Sequence, residues 1–305
     1  MRHKLLLLTS NNDRYQELLA SYHLPDMTLL GDEPSSILNA NIWLAEPTLA
    51  APLLPHANQL TWVQSTMASV DALVQPRQRK DYKLTNVRGM FGPLMSEYLF
   101  GYLLAHRQEY KVQQAEKIWL PANFKTLRGQ KLLLIGTGNI SKHIAQTAKY
   151  FGIHVIGINR GAKPTRGFDK VDTLANISHH ITQADTLISI LPSTPLTKDA
   201  LNGELLSLMK PDAILFNLGR SDILDLNALY IQLIENSDQQ AILDVFNQEP
   251  LLKESPISSL KNVTITPQIV APHFPEQVVE IFSNNYHKLL QGEKLSHSVN
   301  FAQGY

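Results

Sequence analysis

The chain has 305 residues, of which 44% are apolar and 18% charged, and Lys+Arg and Asp+Glu balance at 27 each. That length favours two domains, and the even balance excludes the strongly basic surface on which nucleic-acid affinity rests. The lack of cysteine excludes disulfides, thiolate metal sites and a thiolate nucleophile.

The N-terminal MRHKLLLLTSNND has too short an apolar run for a signal peptide and no small-residue cleavage site. Leu5–Thr9 therefore reads as a buried strand. No run approaches the ~20 apolar residues that span a bilayer, so a cytoplasmic protein without a membrane partner is expected. Up to about residue 90, apolar runs at Leu5–Thr9, Ile42–Ala45 and Thr61–Gln64 alternate with helical spacing at Tyr15–Ala20 and Thr48–Leu54, punctuated by Pro25, Pro34 and Pro47. Such alternation implies a parallel sheet covered on both faces. Without a glycine-rich turn, this unit reads as the one that holds substrate. In WVQSTMASVDAL a strand end leads straight to Ala68 and Ser69, whose backbone N–H groups could hold a carboxylate. Taken alone, the residues favour a plainer strand-to-helix connection with Ser69 as N-cap.

Pro93 is placed to open a long helix, Leu94–Tyr110, with a wide apolar face that includes Leu94, Met95, Tyr98, Leu99, Tyr102 and Leu103. A helix of this kind bridges two units or packs on a second copy, and a homodimer is expected. Further strands are expected at Lys131–Ile135, Ile153–Ile158, Thr186–Leu191, Ala213–Asn217, Ala241–Val245 and Val263–Thr266. The helices between them begin near Asn139, Asn176, Asn202 and Asp225. That spacing fits a doubly wound sheet. A last helix, Pro275–Leu290, carries an apolar stripe of Val278, Val279, Phe282 and Leu289 that would return it to the first unit. His179 and His180 read as solvated, with no acidic partner at ligand spacing, and no metal is expected. His143 reads as exposed.

The chain is organised around KLLLIGTGNIS, Lys131 to Ser141. An apolar strand, a glycine turn and a helix start make the phosphate-binding turn of a dinucleotide fold. Gly136 permits the tight turn, Gly138 lets backbone approach a pyrophosphate, and the free N–H groups at Asn139 and Ile140 face the anion. The third position holds Ser141 instead of glycine, small enough for helix–strand packing. The next strand ends VIGINR, with Asn159 and Arg160 where NAD-specific folds place a carboxylate about 20 residues past the glycines. Lys163 and Arg166 follow. A carboxylate would repel a 2′-phosphate, whereas guanidinium pairs with it. NADP(H) is therefore expected over NAD(H), which stays possible; a solvated basic loop is the plain alternative.

Four stretches, LRGQKLLLIGTGNIS, LPSTPLTKDALNGELLSLMKPDAILFNLGRSDILD, AILDVFNQEPL and NVTITPQIVAP, together resemble the D-isomer-specific 2-hydroxyacid dehydrogenases, most closely the glyoxylate/hydroxypyruvate reductase A branch. The resemblance implies a dimer in which a doubly wound (Rossmann) nucleotide domain, residues 94–274, is inserted into a flavodoxin-like α/β substrate domain, residues 1–93 plus 275–305. It implies NAD(P)H-dependent reduction of small 2-keto acids to 2-hydroxy acids. Arg220 matches the arginine that holds substrate carboxylate and carbonyl, Asp244 a residue near the nicotinamide amide, and Glu249 the acid that partners the catalytic histidine. Leu191 and Pro192 match the adenine side, Leu218 lies with the cofactor-binding residues, and Met67 and Ala68 match the loop whose N–H groups meet substrate. Ser221 stands where the family usually has glycine. The larger departure is Thr266-Pro267-Gln268 where the family reads Thr-Pro-His: the proton donor is replaced by an amide that cannot release a proton near neutral pH. His273 in a remodelled loop, a Glu249 kept protonated by burial, or a bound water are the conceivable substitutes. The alternative is a nucleotide- or metabolite-binding homologue with impaired catalysis.

Overall fold

Among the described residues, which are 3–110, 125–270 and 274–302 of a computed structural model, strands pair in parallel into two separate sheets. The chain divides into two units, residues 1–90 with 272–305, and residues 91–271. In the first, β1 (His3–Leu8), β2 (Met27–Leu29), β3 (Ile42–Ala45), β4 (Trp62–Ser65) and β5 (Lys83–Thr85) are ordered β2-β1-β3-β4-β5, the flavodoxin-like arrangement. In the second, β6 (Lys131–Ile135), β7 (His154–Ile158), β8 (Lys170–Asp172), β9 (Thr186–Ser189), β10 (Ile214–Asn217), β11 (Gln240–Leu243) and β12 (Val263–Ile265) are ordered β12-β11-β10-β9-β6-β7-β8. This is the doubly wound order, reversing between β6 and β9.

The central strands are buried on both faces, as continuous apolar runs require: every residue of β3, β4, β9 and β10 is buried. In the first unit Trp43 and Trp62 are fully enclosed, and Trp62 stacks on Phe282 of helix Pro275–Leu290 at 5.1 Å between ring centres. Asn285 on that helix donates from Nδ2 to Gln64 Oε1 and to the Ser296 carbonyl, both at 3.1 Å. Stacking and hydrogen bonds thus fasten the last helix to β4. At the point where this sheet reverses, between β1 and β3, the Ser10 amide and hydroxyl both donate to the Glu46 carboxylate at 2.7 Å.

Helix starts follow local chemistry. Asn202 and Asp225 accept the Leu205 and Ala228 amides as N-caps, and Pro34, Pro47 and Pro275 begin their helices. The expected Leu94–Tyr110 helix runs instead from Phe91 to Arg107. Pro93 sits inside the first turn, where backbone N–H groups have no intrahelical acceptor and its missing donor costs nothing. Strands β2, β5 and β8 were not expected; each has three residues and lies at a sheet edge, too short for periodicity to show. Among the described residues no helix is long and apolar enough to cross a membrane.

Two histidines differ from expectation. His143 is half-buried on helix Asn139–Tyr150, with Nδ1 2.9 Å from Ser96 Oγ. Ser96 gives its proton to the Gly92 carbonyl, so it accepts one from the imidazole. His180 is 2% exposed and hydrogen-bonds Asp172 at 2.9 Å. Its acidic partner is eight positions away and therefore invisible to helical spacing. Hydrogen bonds from His180, Asn176 and the Thr173 amide hold the Asp172 carboxyl well below the usual carboxylate range. Because the folded-state pKa is depressed, Asp172 contributes stability fully above the ordinary carboxylate pKa of ~3.9 and loses it as pH falls below that value. Asp172→Asn should lower the urea midpoint at pH 7 and flatten its decline between about pH 4 and 2; parallel profiles for the two proteins would show that Asp172 contributes nothing.

Candidate active site

The glycine turn follows β6 and opens helix Asn139–Tyr150. Gly136 has φ +110°, and a Cβ there would lie 2.9 Å from the Ile190 carbonyl oxygen, so both backbone conformation and contact exclude any other residue. A Cβ on Gly138, the helix N-cap, would meet nothing within 4 Å, and no side chain caps the helix. The first-turn N–H groups of Asn139 and Ile140 therefore lie beside open space, as a phosphate requires. Ser141 is 1% exposed. Ser189 Oγ and Asn217 Oδ1, at the paired ends of β9 and β10, are buried without a hydrogen-bond partner among the described residues. Unused polar capacity beside the sheet reversal, next to an uncapped helix, fits a dinucleotide.

At the end of β7 the Asn159 side chain is fully engaged. Its Oδ1 accepts the Gly161 and Lys163 amides at 3.2 and 3.1 Å, and its Nδ2 donates to Thr137 Oγ1 and the Lys163 carbonyl, each at 3.1 Å. Asn159 thus ties the basic loop to the glycine turn. Arg160, Lys163 and Arg166 are exposed, and none has an acidic partner among the described residues. Leu191 is half-buried against the core and Pro192 is exposed.

Arg220 follows a second close approach. A Cβ on Gly219 would come within 3.0 Å of Ile190 Cα and 3.1 Å of the Leu191 amide nitrogen, so glycine brings this turn against the end of β9. The Leu218 amide donates to the Ser189 carbonyl at 3.2 Å, and Arg220, half-buried, donates from Nη1 to the Gly219 carbonyl at 3.1 Å.

Asp244, fully buried after β11, accepts from Thr266 Oγ1 at 2.5 Å, the Ile269 amide at 2.9 Å and the Val270 amide at 3.1 Å. Since Thr266 gives its proton to Asp244, it accepts one from Tyr98 OH, 2.7 Å away. Burial pushes the Asp244 carboxyl up, the three hydrogen bonds oppose this, and the nearby Glu249 charge adds to the rise. Burial likewise raises the Tyr98 phenol. Between the clamped residues Thr266 and Ile269, Gln268 is exposed and held at φ +54°, a left-handed conformation uncommon outside glycine. Glu249 is exposed and accepts the Phe246 amide through Oε1 at 2.9 Å. Glu249 is thus not buried, contrary to the premise of one substitute considered above. His273 lies outside the described residues. Tyr98 and Thr266 were not singled out from sequence: Tyr98 reads as part of an apolar stripe, and only the fold joins it to Asp244.

In the first unit, the Met67 amide donates to Ser65 Oγ at 2.9 Å, while those of Ala68 and Ser69 have no partner among the described residues. No helix follows. Residues 71–73 form a turn, and Ser69 Oγ donates to Asp71. Ser69 is not an N-cap, and the plainer reading of this stretch fails.

A glycine turn at the reversal of a doubly wound parallel sheet, an uncapped helix behind it and an arginine past the end of β10, beyond the intervening β9, define a dinucleotide-dependent oxidoreductase scaffold. Residues 99–269 match the NAD binding domain of the D-isomer specific 2-hydroxyacid dehydrogenases, and the chain belongs to that family. A family protein of known structure from Aeromonas salmonicida subsp. salmonicida A449 is 42% identical and covers 99% of this chain and 100% of its own, with a TM-score of 0.91. An NADPH-dependent glyoxylate/hydroxypyruvate reductase from Sinorhizobium meliloti, in complex with NADP and sulfate, shares the fold at 20% identity, covering 99% of this chain and 100% of its own, with a TM-score of 0.86. An uncharacterized protein in the proB 3′ region of Corynebacterium melassecola is 27% identical over 266 residues, 84% of this chain and 88% of that protein.

Asp244→Ala would strand the Thr266 hydroxyl and the buried Val270 amide, each costing about 1–3 kcal/mol, and release the part-buried Ile269 amide. Urea unfolding should show a loss of several kcal/mol, and limited proteolysis should cut near residue 268 first. Wild-type stability in this variant would mean that the loop holds itself.

Proposed function

We propose that this protein is an NADPH-dependent reductase of small 2-keto acids of the glyoxylate and hydroxypyruvate kind, acting as a homodimer and without an imidazole acid. The observation that carries the proposal is the glycine turn after β6 with Arg220 past the end of β10, two strands along the same sheet, while position 268 holds glutamine. NADPH and NADP complexes of fold relatives from Xanthobacter autotrophicus Py2 and Sinorhizobium meliloti favour the phosphorylated cofactor. The reduced nicotinamide supplies a hydride when bound. Arg220 pairs with the substrate and stabilises the charge that develops on its carbonyl oxygen. The Ala68 and Ser69 amides receive the carboxylate. Gln268 donates a hydrogen bond from its amide, and the proton comes through water at reduced rate. Asp244 fixes the backbone that presents residue 268, and Oε2 of Glu249 has no partner among the described residues, leaving it able to orient an imidazole placed there.

Histidine tolerates the left-handed backbone of position 268 better than most residues. Gln268→His should therefore fold and raise kcat with glyoxylate at least tenfold, the low end of what a positioned acid contributes, about 10²–10⁴. Equal fast rates would point to another donor. Two inactive proteins that still bind NADPH would favour a nucleotide-binding homologue. For the cofactor, Arg160→Ala should weaken NADPH binding by about tenfold, the worth of one charge-assisted contact, and leave NADH binding within twofold. Equal losses would remove the 2′-phosphate assignment.

A further inference from the structure

The amides of Ala68 and Ser69 carry no net charge, yet a small 2-keto acid is an anion, and the first unit holds a cation beside this loop. Asn86, 4% exposed, uses both ends of its side-chain amide: Nδ2 donates to the Ala68 carbonyl at 2.7 Å, and Oδ1 accepts Arg88 Nε at 2.8 Å. Its own backbone N–H donates to the His297 carbonyl at 3.1 Å. One side-chain amide and two hydrogen bonds therefore separate the Arg88 guanidinium from the peptide that joins Ala68 to Ser69. Arg88 is half-buried, and no carboxylate pairs with it among the described residues. Its Nε is spent on Asn86, and the two Nη groups have no acceptor among the described residues. The charge is felt locally: burial first, then Arg88 and Lys288, hold the His297 imidazole below its ordinary value. A guanidinium fixed by a buried amide, uncompensated and next to unused N–H groups, has the composition of a carboxylate receptor.

We infer that Arg88, oriented by Asn86, supplies the positive charge that binds the carboxylate of a small 2-keto acid at the Ala68–Ser69 loop, a specificity residue distinct from Arg220. The inference deepens the reductase reading and rests on it for the identity of the anion. It divides the work between two arginines. Arg88 neutralises a charge present throughout the reaction, so its loss affects substrate binding in ground and transition states alike and appears in KM. Arg220 pairs with the substrate and also meets charge that develops on the carbonyl oxygen, so its loss appears in kcat as well as in KM.

The test uses Arg88→Gln, which keeps a donor for Asn86 without the charge, beside Arg88→Lys and the wild type. Oxalate, a non-reducible analogue, is titrated by calorimetry, and glyoxylate reduction is followed with saturating NADPH. Arg88→Gln should weaken oxalate binding and raise the glyoxylate KM by about tenfold or more, as loss of a charged hydrogen bond does, with kcat and NADPH affinity within twofold. Arg88→Lys should recover part of the loss. Should Arg88→Gln unfold, Arg88→Met, which keeps the packed stem, carries the same expectation. Unchanged oxalate affinity and unchanged KM in the folded variants overturn the inference while leaving the reductase reading intact. Charge-dependent oxalate binding by a wild type that reduces no 2-keto acid keeps the inference and removes that reading.

Discussion

A buried carboxylate sets the form of the site. Asp244 is cut off from solvent and survives there because a hydroxyl and two amides point at it. Burial alone would favour its neutral form; the three donors are what make an ionised group tolerable. The reciprocal effect is on the backbone. Residues 266, 269 and 270 all bond Asp244, and within the stretch they hold, position 268 adopts a left-handed conformation. Tyr98 extends the constraint to helix Phe91–Arg107 through Thr266, so a loop that would otherwise be loose is braced from two elements.

Because the bracing uses Thr266, Ile269 and Val270, it does not depend on the side chain at 268. That separation explains how glutamine can occupy the position where the family resemblance leads one to expect histidine without dismantling its surroundings. The scaffold presents whatever residue the chain supplies, and chemistry then depends on whether that side chain can part with a proton. An amide keeps its hydrogens at neutral pH. It can still point at an oxygen, which orients a substrate without completing its reduction.

Much of this was legible beforehand where one residue does one thing. Gly136 announces a positive φ and a close approach, Pro275 announces a helix start, and the long apolar strands announce burial. The parallel pairing of both sheets follows from alternating β and α segments, whereas their different strand orders do not. What could not be read depends on residues distant in sequence. Strands β2, β5 and β8 exist because neighbours offer an edge to pair with, not because three residues carry a pattern. His180 looked solvated because Asp172 lies outside helical spacing. Ser69 looked like a cap because no local rule says that the following residues will turn. Tyr98, Thr266, Asn86 and Arg88 each acquire meaning only through a partner the fold supplies.

The pairing of Ser10 with Glu46 bears on how the two similar sheets share the work. Open α/β sheets receive ligands at the crevice where strand order reverses, and each unit has such a place. In the smaller sheet the amide and hydroxyl that would greet a phosphate are already satisfied by a resident carboxylate, which repels a further anion. In the larger sheet the corresponding amides lie uncapped beside Gly138. The two reversals therefore differ in what they offer an anion: a resident carboxylate takes the Ser10 donors in one sheet, while the glycine turn of the other carries no side-chain cap.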